Sequence, residues 1–268
     1  MTEAPLGEGL DENVNIIHIA NVIHESDEAT DEGGGRRARA RARRTDEIVR
    51  TALEIVRDEG IEALTTHALA KRLDVAVGAL YRYFPSKSAL LAELERRALG
   101  ELGAHLKRSL DEAEGAFRSK GAALARIVLA GRAYGRFVRE RPTEAGFISQ
   151  MLADPRTLVP GEEGAALVAS TMELLGVVAS LFSAASEESA LSHGPALERA
   201  VLYWSGLRAV MELSKLKTHQ PGFDATPLAD AMTRALLIGF GAEADAVTRA
   251  FAAVKRYADR DRSKEPGA

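Results

Sequence analysis

The chain has 268 residues, 46% hydrophobic and 28% charged, which is ordinary composition for one large globular domain or two small ones. It has no cysteine, which excludes disulfides, thiolate zinc sites, Fe–S clusters and cysteine nucleophiles and fits a reducing cytoplasm. The formal charge of −4 does not by itself point to nucleic acid; no uninterrupted apolar run approaches the roughly 18 residues of a membrane span, and no basic-apolar leader opens the chain, so neither a membrane protein nor a secreted one is expected.

The charge is unevenly placed. Residues 1–32 carry nine acidic groups and no Lys or Arg. Residues 33–44 carry six arginines (Arg36, Arg37, Arg39, Arg41, Arg43, Arg44) and no acid. Residues 45–97 carry eight basic and nine acidic groups, and the remainder is neutral. An acidic head and an arginine neck before a near-neutral body read as an interaction tail. Residues 1–41 are expected to be disordered, with Gly33-Gly34-Gly35 as a flexible joint. Within the head, Val14–His24 fits a helix about as well as a short strand.

From Thr45 the pattern turns helical. Thr45 is a candidate N-cap, with Asp46 and Glu47 well placed in a first turn. Ile48, Ala52 and Ile55, flanked by Val49, Leu53 and Val56, form an apolar stripe that Gly60 ends. Two short helices follow near 66–73 and 77–83, then a long one from Ser86 to about residue 110. Later helical segments fall near 121–141, 143–153, 162–186, 195–217, 227–240 and 243–259, punctuated by Pro142, Pro155, Pro160, Pro195, Pro221 and Pro227. No alternating strand pattern of useful length and no internal repeat is present. The fold class is all-α, with about nine helices in total.

Residues 65–84 meet the spacing of a helix-turn-helix. Such a motif needs a small residue where its helices cross, a turn residue four places on and an apolar residue about six further on. Ala70, Asp74 and Leu80 stand at those places. Leu69 and Leu73 would seat the first helix on a core, and Leu80 and Phe84 the second. That leaves Val77, Gly78, Ala79, Tyr81, Arg82 and Tyr83 on or near the open side. Thr65 or Thr66 supplies an N-cap. A helical hairpin that merely packs would show the same spacing.

The stretch from Ile48 to Leu94 resembles the DNA-binding domain of the TetR/AcrR family of transcription regulators. The resemblance rests on Ala52, Glu59-Gly60, Leu64-Thr65-Thr66, Leu69-Ala70, Leu80-Tyr81-Arg82-Tyr83-Phe84 and Pro85-Ser86-Lys87-Ser88-Ala89-Leu90-Leu91. Three positions depart from the family pattern. Asp74 stands where Gly is usual, Ala76 replaces a Ser or Thr cap, and His67 takes a place often held by Arg or Val. The resemblance implies a DNA-binding domain over 42–102 and a ligand-binding and dimerisation domain over 103–268.

It also implies roles. Tyr81, Tyr83 and Lys87 match phosphate-contact positions, which fix register without reading sequence. Thr66 and His67, beside the cap at Thr65, and Val77, Gly78, Ala79 and Arg82 match positions near phosphates or base edges. Val77 and Ala79 make only apolar contacts, and Gly78 permits close approach. Arg82 and His67 are the side chains able to hydrogen-bond a base; a solvated role is the alternative for each. The arginine neck would enter a minor groove or remain a solvated linker.

For the second region the resemblance implies a homodimer and a pocket for an unknown small-molecule effector. Helices 195–217 and 227–240 are the candidates for the dimer face, through Ala200, Val201, Trp204, Leu207, Val210, Met211, Leu228, Met232, Leu236 and Leu237, with intramolecular core as the alternative. Candidate pocket residues are Tyr134, Phe137, Phe147, Met151, Met172, Phe182 and Tyr203, with Glu173 and Arg208 to orient a ligand. Plain core and surface salt bridges are their alternatives.

No catalytic motif, metal-ligand spacing or cofactor fingerprint is present, so an enzyme is not expected and no cofactor is implied. The sequence therefore predicts a cytoplasmic bacterial repressor, nucleoid-associated when bound to double-stranded DNA at a pseudo-palindromic operator and released by its ligand. The alternative is a DNA-binding regulator without a small-molecule ligand, constitutive or controlled by a protein partner.

Overall fold

The structure, a computed structural model, describes residues 32–117, 121–153, 162–220 and 222–262; every regular element among them is helical. Ten α-helices follow in order: α1 (Glu32–Glu59), α2 (Thr66–Arg72), α3 (Val77–Leu80), α4 (Lys87–Glu112), α5 (Ala122–Glu140), α6 (Pro142–Ala153), α7 (Glu162–Glu187), α8 (Ala196–Glu212), α9 (Thr226–Gly239) and α10 (Ala244–Arg262). Short 3₁₀ turns occupy Ile61–Ala63 and Leu213–Thr218. Residues 1–46 and 47–268 form two compact units.

In the first unit, the described residues are helical from Glu32 on, where a flexible joint and neck are expected. Arg and Ala are strong helix formers, and their alternation over residues 36–44 prolongs a helix that Thr45–Glu59 already nucleates. The three glycines, at about 1 kcal/mol each relative to Ala, sit at its very start. Arg36, Arg37, Arg39, Arg41 and Arg43 are exposed. The acidic head, with Val14–His24, lies outside the described residues.

In the second unit, α4 is the spine. Leu90, Leu94, Leu99, Leu102 and Leu106 are buried along it, each contributing about 1.5–3 kcal/mol by burial. The helix runs unbroken through residue 102, where a domain boundary is expected. Helices α5, α6 and α7 pack on it, and α8 pairs with α7. Tyr203 of α8 crosses α5 closely enough to need Gly131 there, because a Cβ would collide with its hydroxyl. That hydroxyl donates to the Ile127 carbonyl at 3.0 Å. Phe182 stacks edge-on with Tyr203 and Phe240 at centroid distances of 5.7 and 5.8 Å.

One expectation about helix faces is corrected, and one about apolar runs. Ala200, Trp204, Leu207, Met211 and Leu237, expected on the dimer face, are buried within the chain. Helix α8 packs that side against α5, α7 and α9. Val201 of α8 and Leu228 of α9, also expected on that face, are exposed, and so are Val168 and Met172 on α7, Leu202 on α8, Leu213 and Leu216 beyond it, Ile238 on α9 and Tyr81 in the turn after α3. Gly164–Glu187, moreover, is long and apolar enough to cross a membrane, with mean hydropathy 1.9, although only 28% of that window is buried. Leu167, Val168, Leu174, Leu175, Val177, Val178, Leu181 and Phe182, with alanines between them, make it apolar, while Ser170, Thr171 and Glu173 interrupt the run.

Candidate nucleic-acid interface

The turn between α2 and α3 is built from its ends. Thr65 caps α2: its hydroxyl accepts from the Ala68 amide at 3.1 Å. Leu69 and Ala70 are buried, so the crossing point is tight. Arg72 reaches back to Glu59 at 2.6 Å and ties the exposed end of α2 to α1. The chain then turns through Asp74 at φ +52°, the left-handed conformation that a helix-turn-helix requires. The Val75 amide returns to the Ala70 carbonyl at 3.0 Å and closes the turn.

Ala76 precedes α3 with extended backbone and no side-chain cap. The helix spans only Val77–Leu80, where 77–83 is expected; residues 81–83 form a turn, and the Tyr83 and Phe84 amides both donate to the Leu80 carbonyl at 2.9 Å. With no N-cap bond this element leans on Leu80, which is 4% exposed, for its anchorage. Ser86 then caps α4, accepting from the Ala89 amide at 3.0 Å.

Thr65, His67, Gly78, Tyr81, Arg82 and Lys87 are exposed, while Thr66, Val77, Ala79 and Tyr83 are half-buried. Val77 and Tyr83 pack partly on the core rather than standing fully free. A Cβ at Gly78 would meet nothing within 4 Å, so the protein itself leaves open space there. Residues 65–87 carry four basic groups and one acid, Asp74. One short segment therefore carries positive charge, two phenols and a side-chain-free spot, while Leu69, Ala70 and Leu80 are turned into the core. Hydroxyl and cationic donors of this kind hold phosphates, and a bare backbone lets a helix approach a groove closely.

The sequence-predicted pocket residues do not gather in one place. Tyr134 and Tyr203 share the wall of a small apolar cavity between α4, α5, α7 and α8. Phe137, Phe147 and Phe182 are fully buried core. Met172 and Glu173 are exposed on α7. The Met151 side chain lies outside the described residues. Arg208 is bound to Glu212 at 2.6 Å, and Glu212 also accepts from the Ser149 hydroxyl at 2.7 Å. Trp204, assigned to the dimer face from sequence, lines the cavity instead; its place one helical turn before Arg208 was the available signal. Glu95 on α4 also escaped the sequence reading. It is 6% exposed, and burial pushes its carboxyl up to about 7.

Residues 48–94 match the model of a family described as bacterial regulatory proteins, tetR family. Over 52 residues the chain is 50% identical to the tetracycline repressor protein class C of Escherichia coli, covering 19% of this chain and 24% of that protein. Over 70 residues it is 41% identical to the transcriptional repressor KstR of Mycobacterium tuberculosis, covering 26% and 32%. The matched part thus spans about a quarter to a third of these curated relatives. Among solved structures, SCO4313 is 26% identical with a TM-score of 0.55, covering 75% of this chain and 98% of that one.

Proposed function

We propose that this chain, which belongs to the TetR family of bacterial regulatory proteins, is a dimeric transcriptional repressor that a small molecule releases from its operator. The observation that carries the reading is the coincidence of the family match over 48–94 with a motif that presents donors on its open side. Two of the relatives matched there, the tetracycline repressor protein class C and KstR, are themselves named as repressors. Tyr81, Tyr83 and Lys87 hold phosphates; Thr65, Thr66 and His67 guide the start of α2; Val77, Gly78, Ala79 and Arg82 approach base edges. The neck arginines add affinity through phosphate charge, which is sequence-independent. The chain acts in the cytoplasm and catalyses nothing.

One reading head spans too few base pairs for specificity, so two copies are needed. The exposed apolar side chains of α7 and α8 (Val168, Met172, Val201 and Leu202) support a second copy as the partner. Their helices pair within the chain, and pairing with the same two helices of another copy makes a four-helix interface. This also accounts for the apolarity of Gly164–Glu187 without a membrane.

Induction runs through α4. Its start, Lys87, stands beside the motif, and its later turns lie in the second region. A tilt of this rigid helix changes the separation of the two heads, which must lie about 34–36 Å apart, or a multiple, to meet one face of B-DNA. Selection from a random duplex pool tests the function: the purified chain enriches a pseudo-palindrome, with affinity falling steeply as salt rises. Enrichment of no palindromic site overturns the reading. Val201→Glu tests the dimer, producing a monomer that no longer binds the selected site.

A further inference from the structure

Trp204 is 7% exposed, and its indole N–H has no hydrogen-bond partner among the described residues. A buried donor left unpaired is rare in folded proteins, and each instance calls for a partner. The indole lies on the wall of the cavity that Leu102 and Leu106 of α4, Tyr134 of α5, and Leu174 and Val178 of α7 complete. About 20 Å³ is free there, room for one water. Of the two phenols on this wall, Tyr203 is already engaged, donating to the Ile127 carbonyl, and Tyr134 is the other.

One turn further along α8, charge is already balanced. Arg208 binds Glu212 at 2.6 Å, with the Ser149 hydroxyl on the same carboxylate oxygen. Burial holds the Tyr134 phenol well above its usual range; Arg208 opposes this and Glu212 adds to it. An anionic guest would have to displace Glu212, and a cationic one would have to displace Arg208. The apolar wall supplies no other counter-ion.

We infer that the effector is an uncharged, mainly apolar molecule that carries an acceptor oxygen (a ketone, ester, lactone or ether) to take the Trp204 N–H. This rests on the ligand-responsive reading above and names the chemistry of its ligand. Anything larger than a water widens the space between α4, α7 and α8. Because α4 carries two of the lining leucines and begins beside the reading head, that widening is the same movement that shifts the head.

Trp204 is the one tryptophan of the chain, so its emission reports this site alone. Three probes of equal size separate the possibilities: cyclohexyl methyl ketone, its acceptor-free counterpart isopropylcyclohexane, and the anion cyclohexanecarboxylate. Each is titrated into the full-length protein, with tryptophan emission and melting temperature as readouts. The ketone binds about tenfold more tightly than the hydrocarbon, the worth of one buried hydrogen bond, and the carboxylate binds more weakly than the ketone. Trp204→Phe, followed by melting temperature, erases the preference for the ketone while retaining binding of the hydrocarbon. Val178→Leu, which keeps the indole but fills the cavity, weakens the ketone about fivefold. Equal binding of ketone and hydrocarbon, preference for the carboxylate, or no binding of any probe overturns the inference. The same preparation is assayed on its selected operator. Operator binding without probe binding sinks the ligand class alone, whereas loss of both sinks the regulator reading.

Discussion

The reading head and the helical body are stabilised on different scales, and the difference explains why one carries the recognisable text. The head hangs on a seven-residue α2 and a four-residue α3, neither of which would persist alone in water. Its geometry depends on a few local devices: the Thr65 cap, the left-handed turn at residue 74, the Ala70 crossing and the Leu80 anchor. The body is built from helices of 12–26 residues whose leucines, phenylalanines and alanines exchange more freely. Selection on a few backbone devices leaves a motif, whereas selection on a packed volume leaves only a period.

The contrast breaks most sharply at Phe182. This ring is fully buried between Tyr203 and Phe240. Phe182→Ala should cost about 3–5 kcal/mol, partly as lost transfer energy and partly as a cavity. Denaturant melts measure it. A loss below 1 kcal/mol would mean that the body refills the void and is softer than its packing implies.

Gly78→Leu exerts the opposite effect. Open space surrounds a Cβ at this position, and leucine is the better helix former, so stability should be unchanged or up by as much as about 1 kcal/mol. Operator affinity should nonetheless fall about 100-fold, since the side chain keeps the helix away from the groove. Fluorescence anisotropy with a labelled operator checks this. Retained affinity would show that Gly78 does not face DNA.

These two sites also mark what the sequence made legible. At residues 65–87 spacing translates directly into geometry, so the cap, turn and crossing could be read off, while the short α3 leaves Val77, Ala79 and Tyr83 half-buried rather than open. In the body the helices could be placed to within a few residues, but not their faces. Ala200, Trp204 and Leu207 follow one apolar periodicity whether they meet α7 of the same chain or a second copy. Only assembly decides that, and it gave the inner face to the chain and left Val201 and Leu202 outside. At the neck the glycines suggested a break, because propensity was weighed residue by residue. Nucleation by the following helix, a cooperative effect, outweighed them.

Glu95 joins the two regions and sharpens the comparison through pH. Its carboxyl is raised to about 7 by burial. A carboxyl whose folded pKa lies above its unfolded value binds its proton more tightly in the native state. Both states are protonated well below pH 4.5, and no penalty exists there. The penalty grows from pH 4.5 to about 7 and is complete above, so stability from this group falls as pH rises. Glu95→Gln should therefore stabilise the protein by about 2 kcal/mol at pH 8 and by almost nothing at pH 4. Melting curves at both values test it; an equal effect at the two would place the cause in packing rather than ionisation.

The smallest change lies in the turn of the head. Asp74 holds φ +52°, where any residue with a Cβ is strained and Asp less so than most. Asp74→Gly should relieve about 0.5–1 kcal/mol of this, less the backbone entropy that glycine adds to the unfolded chain. Asp74 is also the single acid among the residues from Thr65 to Lys87. Its removal should raise operator affinity a few-fold at low salt, with the gain fading as salt screens it. Asp74→Asn separates the two effects, because asparagine tolerates the left-handed turn and lacks the charge. It should match glycine in operator affinity while leaving the melting temperature near that of the parent. If asparagine binds DNA like the parent and glycine binds better, the gain comes from turn geometry, and the charge of the head matters less than its shape.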